Sequence, residues 1–230
     1  MKTIGLIGGM SWESTLPYYR AINEAVRARL GGLHSAKLVL YSVDFAEIEH
    51  LQRTDRWDEA AGLLGHAGRA LAAAGADFFL ICTNTMHKVA SAVEASAGLP
   101  LLHIVDVTAE AVVAAGHRKV GLLGTRYTME QRFYRDRLLH PHGLEAIVPD
   151  EPDRAIVHRV IFEELCHGQV SPSSRAEYRR IIAALVSRGA EAIVLGCTEI
   201  AMLVDAGDAS VPLFDTTVIH AQRAVDVALA

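Results

Sequence analysis

The segments Gly75-Ala76-Asp77-Phe78-Phe79-Leu80-Ile81-Cys82-Thr83-Asn84-Thr85 and Gly189-Ala190-Glu191-Ala192-Ile193-Val194-Leu195-Gly196-Cys197-Thr198-Glu199 align without a gap, 114 residues apart. Each runs from a glycine through an acidic residue into unbroken apolar residues, then out into a small polar turn. A continuous apolar run without alternation reads as a strand covered on both faces, as in parallel sheets. The leading glycine stands where a preceding helix would end. A second pair keeps the same order: Ile4-Gly5-Leu6-Ile7-Gly8 matches Val120-Gly121-Leu122-Leu123-Gly124 at an offset of 116. Behind each lies an aromatic–arginine pair, Tyr19-Arg20 and Tyr134-Arg135. Two matches in one order at nearly one offset read as two homologous halves of about 100 residues, a common domain size.

Outward from these segments the pattern predicts strands over residues 3–8, 37–43, 77–82, 101–104, 119–124, 145–148, 191–196 and 211–214. Helices are predicted over 14–30, 57–74, 88–97, 107–115, 128–139, 155–167, 173–188 and 217–229. Such alternation implies an α/β fold of two similar, pseudo-twofold-related domains with parallel sheets. Residues 1–104 plus 205–230 are expected to form the first domain, and residues 105–204 the second.

Composition narrows the function. The 51% hydrophobic and 21% charged content supports a real core. A formal charge of −5 with no basic run excludes a nucleic-acid partner. No stretch approaches the roughly 20 apolar residues of a membrane span, and the first ten residues read as a strand and turn rather than a leader. A cytoplasmic protein is the expectation. Three cysteines, Cys82, Cys166 and Cys197, make no disulfide framework. Their spacing suits no zinc site, and the eleven histidines form no ligand motif.

In parallel α/β sheets, ligands bind beyond the carboxyl ends of the strands. Four loops fall there: Gly8-Gly9-Met10-Ser11-Trp12-Glu13-Ser14, Thr83-Asn84-Thr85, Gly124-Thr125-Arg126-Tyr127-Thr128 and Cys197-Thr198-Glu199. Each is small or polar and precedes a helix candidate, so it would present backbone N–H groups to a carboxylate or phosphate. The first loop has neither GxGxxG nor GxxxxGK[ST] spacing, which argues against a nucleotide.

The segments Gly8-Gly9-Met10-Ser11, Thr83-Asn84-Thr85 and Gly196-Cys197-Thr198-Glu199 resemble the signatures of the aspartate/glutamate racemase family, and the resemblance runs over essentially the whole chain. It implies two α/β domains with the active site in the cleft between them, no cofactor and in particular no pyridoxal phosphate, a small amino-acid substrate, and a homodimer. It also implies two facing cysteines, one on each side of the substrate α-carbon. Here the chain departs from the family, whose Cys-Asn-Thr reads Thr83-Asn84-Thr85. Cys82 stands one position early and aligns with Gly196, whereas Thr83 aligns with Cys197. Because neighbouring strand residues point to opposite faces, Cys82 is expected inside the domain and Thr83 toward the cleft, unless a local bulge turns Cys82 outward. Cys166, inside a helix pattern, reads as structural.

Racemisation removes a proton from one face of the α-carbon and returns one to the other, which two acid–base groups can do. The expected pair is Cys197 as thiolate base, its pKa lowered at a helix N-terminus, and Thr83 as proton donor. Met10, Ser11, Gln52, Asn84, Thr85, Thr125, Thr198 and Glu199 are the expected substrate contacts, with Gln52 in a loop-like run, residues 52–55. Arg53 and Arg126 are candidate partners for a side-chain carboxylate. His87 reads either as a site neighbour or as a surface residue at a helix start. The resemblance points to an L-specific subgroup acting on aspartate or glutamate. Rival readings are a maleate isomerase, hydantoin racemase or malonate decarboxylase on the same scaffold, or a non-catalytic amino-acid sensor.

Overall fold

A computed structural model describes all 230 residues, Met1–Ala230. The first part of the chain forms β1 (Ile4–Gly8), α1 (Trp12–Leu30), β2 (Leu38–Ser42), α2 (Phe45–Arg53), α3 (Trp57–Ala73), β3 (Phe78–Ile81), α4 (Ala90–Ala97) and α5 (Ile104–Ala114). Then follow β4 (Lys119–Gly124), α6 (Arg126–Glu130), α7 (Arg132–Leu139), β5 (Glu145–Ile147), α8 (Glu151–Glu163), α9 (Pro172–Ser187), β6 (Ala192–Gly196), β7 (Leu213–Asp215) and α10 (Thr216–Leu229). All ladders are parallel, in the orders β2-β1-β3 and β5-β4-β6-β7. The chain is an α/β protein with two parallel sheets. No helix is long and apolar enough to cross a membrane.

The residues aligned in sequence are partners in space. Ile4 pairs with Phe78 in the first sheet, and their counterparts Val120 and Ala192 pair in the second. The correspondence continues one strand further. Phe79 bridges Leu101 as Ile193 pairs with Leu213. The Phe79 N–H donates to Pro100 O at 3.0 Å, and the Ile193 N–H to Pro212 O at 2.9 Å. The strand expected over 101–104 is therefore a single bridge, because the chain turns into α5 at Ile104.

Two compact units divide the chain: Met1–Ile104 with His220–Ala230, and Val105–Ile219. Each last strand is thus followed by a helix that belongs mainly to the other unit. In the first, Ala221, Ala224, Val225 and Ala228 of α10 fill a core with Ile4, Leu6, Tyr18, Ile22 and Leu80. The second core gathers Leu123, Val157, Ile161, Tyr178 and Ile193. The return to the first unit comes at His220 rather than at residue 205, because the backbone ladder to β6 holds β7 in the second sheet.

Local differences have local causes. Helix α2 was not expected; Asp44 caps it by accepting the Ala46 N–H at 3.0 Å, and it buries Ile48, Leu51 and Gln52. The helix expected over 128–139 is broken at Gln131, whose extended ψ of 148° divides α6 from α7. The one expected over 155–167 begins at Glu151, with Pro152 in the first turn where its missing N–H is harmless. Past α8 only a 3₁₀ turn, Leu165–His167, remains.

Candidate active site

In the first unit, two loops leave adjacent strands at their carboxyl ends. The Gly8-to-Ser11 loop folds back so tightly that only glycine fits at position 9. Gly9 has φ +91°, and a Cβ there would collide with the Val43 carbonyl oxygen. Thr15, on the first turn of α1, accepts the Gly9 N–H at 2.9 Å and donates to Ser11 O at 3.0 Å. Met10 and Ser11 are held buried as a result. After β3, Thr83 is half-buried, and Asn84 and Thr85 are buried as a 3₁₀ turn, Thr85–Val89, begins.

Cys82 points the other way. It has no exposed surface and lies in the core with Ile4, Tyr18 and Leu80; burial pushes its thiol up. Its N–H is engaged by Ile7 O at 2.9 Å, with no bulge to turn it.

Gln52 stands in α2, not in a loop. Its buried amide donates to Met86 Sδ at 3.0 Å and docks α2 on the turn after Thr83. Arg53 lies on the exposed side of that helix and pairs with Glu49 at 3.4 Å. Lys88 sits 3.8 Å from the centre of the Trp57 ring, and desolvation lowers its pKa.

In the second unit, β4 and β6 come so close that a Cβ on Gly124 would stand 2.8 Å from Gly196 O. Thr125 caps α6, its hydroxyl accepting the Thr128 N–H at 3.3 Å, and both threonines are buried. Arg126 turns outward and stacks on the Tyr127 ring at 5.0 Å. Its N–H donates to His158 Nδ1 at 3.4 Å, and burial holds that histidine down to about 4.

Beyond β6, one carboxylate oxygen organises the loop. The Cys197 thiol donates to Glu199 Oε2 at 3.0 Å, and the Thr198 hydroxyl donates to the same oxygen at 2.8 Å. All three residues are buried. The expectation of a depressed Cys197 pKa is overturned. Burial pushes the thiol well up, and the Glu199 carboxylate pushes it further. A backbone hydrogen bond from Glu199 offsets only a small part of this, and no helix dipole helps, because only a three-residue 3₁₀ turn, Ile200–Met202, follows and a dipole needs more aligned peptides than that. Cys197 is thus held as a thiol that donates to a carboxylate oxygen.

Thus the first unit holds Met10, Ser11, Gln52, Thr83, Asn84 and Thr85 around one sheet edge, and the second holds Thr125, Cys197, Thr198 and Glu199 around another. The two candidate arginines are drawn to other partners. His87, left open by sequence, is buried and bonds the Thr83 carbonyl at 2.8 Å; the only signal for it was its place four residues after Thr83.

The Asp/Glu/Hydantoin racemase family model matches residues 7–224. The chain is similar over its full length to a candidate Asp/Glu racemase from Yersinia pestis, at 60% identity and a TM-score of 0.93, both chains being covered completely. It is also similar to an aspartate racemase homologue from Pyrococcus horikoshii, at 36% identity and a TM-score of 0.86, again with complete coverage of both. A broad-specificity amino-acid racemase from Bacillus subtilis is 23% identical over 233 residues, 99% of this chain and 98% of that protein.

Proposed function

This chain belongs to the Asp/Glu/Hydantoin racemase family, and we propose that it interconverts L- and D-amino acids, aspartate and glutamate first among them, without a cofactor. Cys197 and Thr83 act on opposite faces of one substrate α-carbon. The observation that carries this reading is positional: Thr83 and Cys197 follow strands whose residues pair identically with β1 and β4, so they hold equivalent places in the two units.

The chemistry divides unequally between them. Glu199 takes the Cys197 proton, and the thiolate then takes the α-proton. Thr83, a far weaker acid, gives its hydroxyl proton to the carbanion from the other face. The site resets when the thiol proton returns to the threonine alkoxide through Glu199 and solvent. A strongly basic carbanion can take a proton from threonine, but threonine is a poor base for the reverse step. The enzyme therefore favours one hand as its starting substrate, the L form, in its individual rate constants, while detailed balance keeps the final mixture racemic. Buried loop polar groups, Ser11, Asn84, Thr85, Thr125 and Thr198, with the amide of Gln52, hold the substrate's charged ends and stabilise the developing charge. Glu199 also faces the ammonium group.

Replacing Thr83 with Cys tests the assignment. A second thiol raises kcat for the slow direction by about tenfold or more, within the usual range for acid–base groups. An unimproved slow direction overturns it. Maleate and hydantoins in the same assay separate related reactions on this scaffold, and a bare amino-acid sensor would turn over nothing.

A further inference from the structure

We infer that His87 is a positioning residue for Thr83, tying the Thr83 carbonyl to the peptide on which the chain leaves the first unit. The inference rests on the reading of Thr83 as proton donor. His87 Nδ1 lies 2.8 Å from Thr83 O, and the Ile104 N–H donates to His87 Nε2 at 3.3 Å. A carbonyl can only accept and an amide N–H can only donate, so Nδ1 must carry the proton and Nε2 the lone pair. One neutral tautomer serves both bonds.

The location gives this clamp its meaning. Ile104 is the last residue of the first unit on the way out, and His220 is the first on the way back. These crossings are joined to each other, since His220 Nε2 donates to Leu102 O at 2.8 Å. The Tyr18 hydroxyl then donates to His220 Nδ1 at 2.9 Å. The His87 ring packs edge-on against His103, with centroids 4.5 Å apart, and against His220 at 6.1 Å. Thr83 is therefore anchored, through one buried ring, to both points where the chain passes between units. Both His87 nitrogens engage backbone, so the ring sets where residue 83 stands rather than handing a proton to its hydroxyl.

Three substitutions test this. In His87→Asn, the amide nitrogen can take the place of Nδ1 and donate to Thr83 O. In His87→Gln, the longer side chain reaches toward Ile104 instead. His87→Ala makes neither bond. Two quantities are read for each: racemisation kcat and KM, and α-deuterium uptake into L substrate recovered unracemised, which needs Cys197 but not Thr83. The Ala and Gln variants should lose about tenfold or more in racemisation kcat with KM little changed, as expected for a misplaced reacting group, while deuterium uptake persists. Asn should recover most of that loss. Uptake and racemisation falling in parallel, equal rescue by Asn and Gln, or an unaffected Ala variant would each overturn the inference. If Ala does not fold, the Asn–Gln contrast still decides. Failure of the parent reading shows separately, as undiminished racemisation by Thr83→Val with His87 intact.

Discussion

At the scale of single residues, the shift of cysteine by one place is the decisive feature. Cys82 enters the core and Thr83 leaves it because side chains alternate along a strand; the internal repeat made this readable from sequence. The setting of Cys197 was not readable, since it depends on how short the following turn is and on where the Glu199 carboxylate points. That setting makes a prediction. Glu199→Gln removes a negative charge beside the thiol and also its proton acceptor. The thiolate absorbance of Cys197, taken as the difference from Cys197→Ser, should then appear at lower pH than in the wild type. Racemisation should nevertheless fall by about 10²–10⁴, the range of a lost acid–base group. A thiol that becomes more acidic while the enzyme slows identifies Glu199 as the proton acceptor; a thiol titrating at higher pH in the variant contradicts it.

At the scale of elements, the central strands β1, β3, β4 and β6 were legible because both faces of each are covered, which leaves an unbroken apolar run. Helix α2 was not: its buried positions Ile48, Leu51 and Gln52 include a polar residue, and two turns are too short for a clear period. The turn from β1 into α1 depends on Gly9. Gly9→Ala sets a Cβ against the Val43 backbone at a φ that L-residues avoid, and should cost about 1–3 kcal/mol in denaturant unfolding. A loss under a few tenths would mean that the loop relaxes freely. Helix α10 carries His220, whose pKa is held down to about 3, first by burial and then by His87. The native state keeps this ring neutral where the unfolded chain, near pKa 6.5, protonates it. Stability from this group is therefore complete above pH 6.5 and is lost as the pH falls toward 3, at up to about 1.4 kcal/mol per pH unit. His220→Gln should flatten the stability slope between pH 6 and 4 by about that amount, whatever its effect at pH 7. An unchanged slope would assign acid sensitivity to other groups, among them His158.

At the scale of the molecule, the repeat explains both the symmetry and the exchange. Two equivalent strand orders carry two equivalent loop pairs, and α10 completes the core of the unit formed by the chain's beginning. The two-half organisation could be read from the aligned segments. The point of return could not, because β7 is three residues long and its allegiance is set by backbone pairing with β6. Removing residues 220–230 should therefore loosen the first unit rather than the one that precedes it in sequence. Cys82, packed in the same core as Ala221 and Ala224, should then react with a thiol reagent under native conditions that leave it untouched in the full chain. Continued protection of Cys82 would show that α10 is dispensable there.

The most direct measurement follows the α-hydrogen of each enantiomer of aspartate and glutamate in deuterated water, with purified protein and nothing added. The account predicts racemisation with deuterium gained at the α-carbon. Cys197→Ser should abolish both, and Thr83→Val should keep deuterium uptake into the L enantiomer while losing the change of hand. Racemisation that survives loss of either side chain, or that requires an added cofactor, would contradict it.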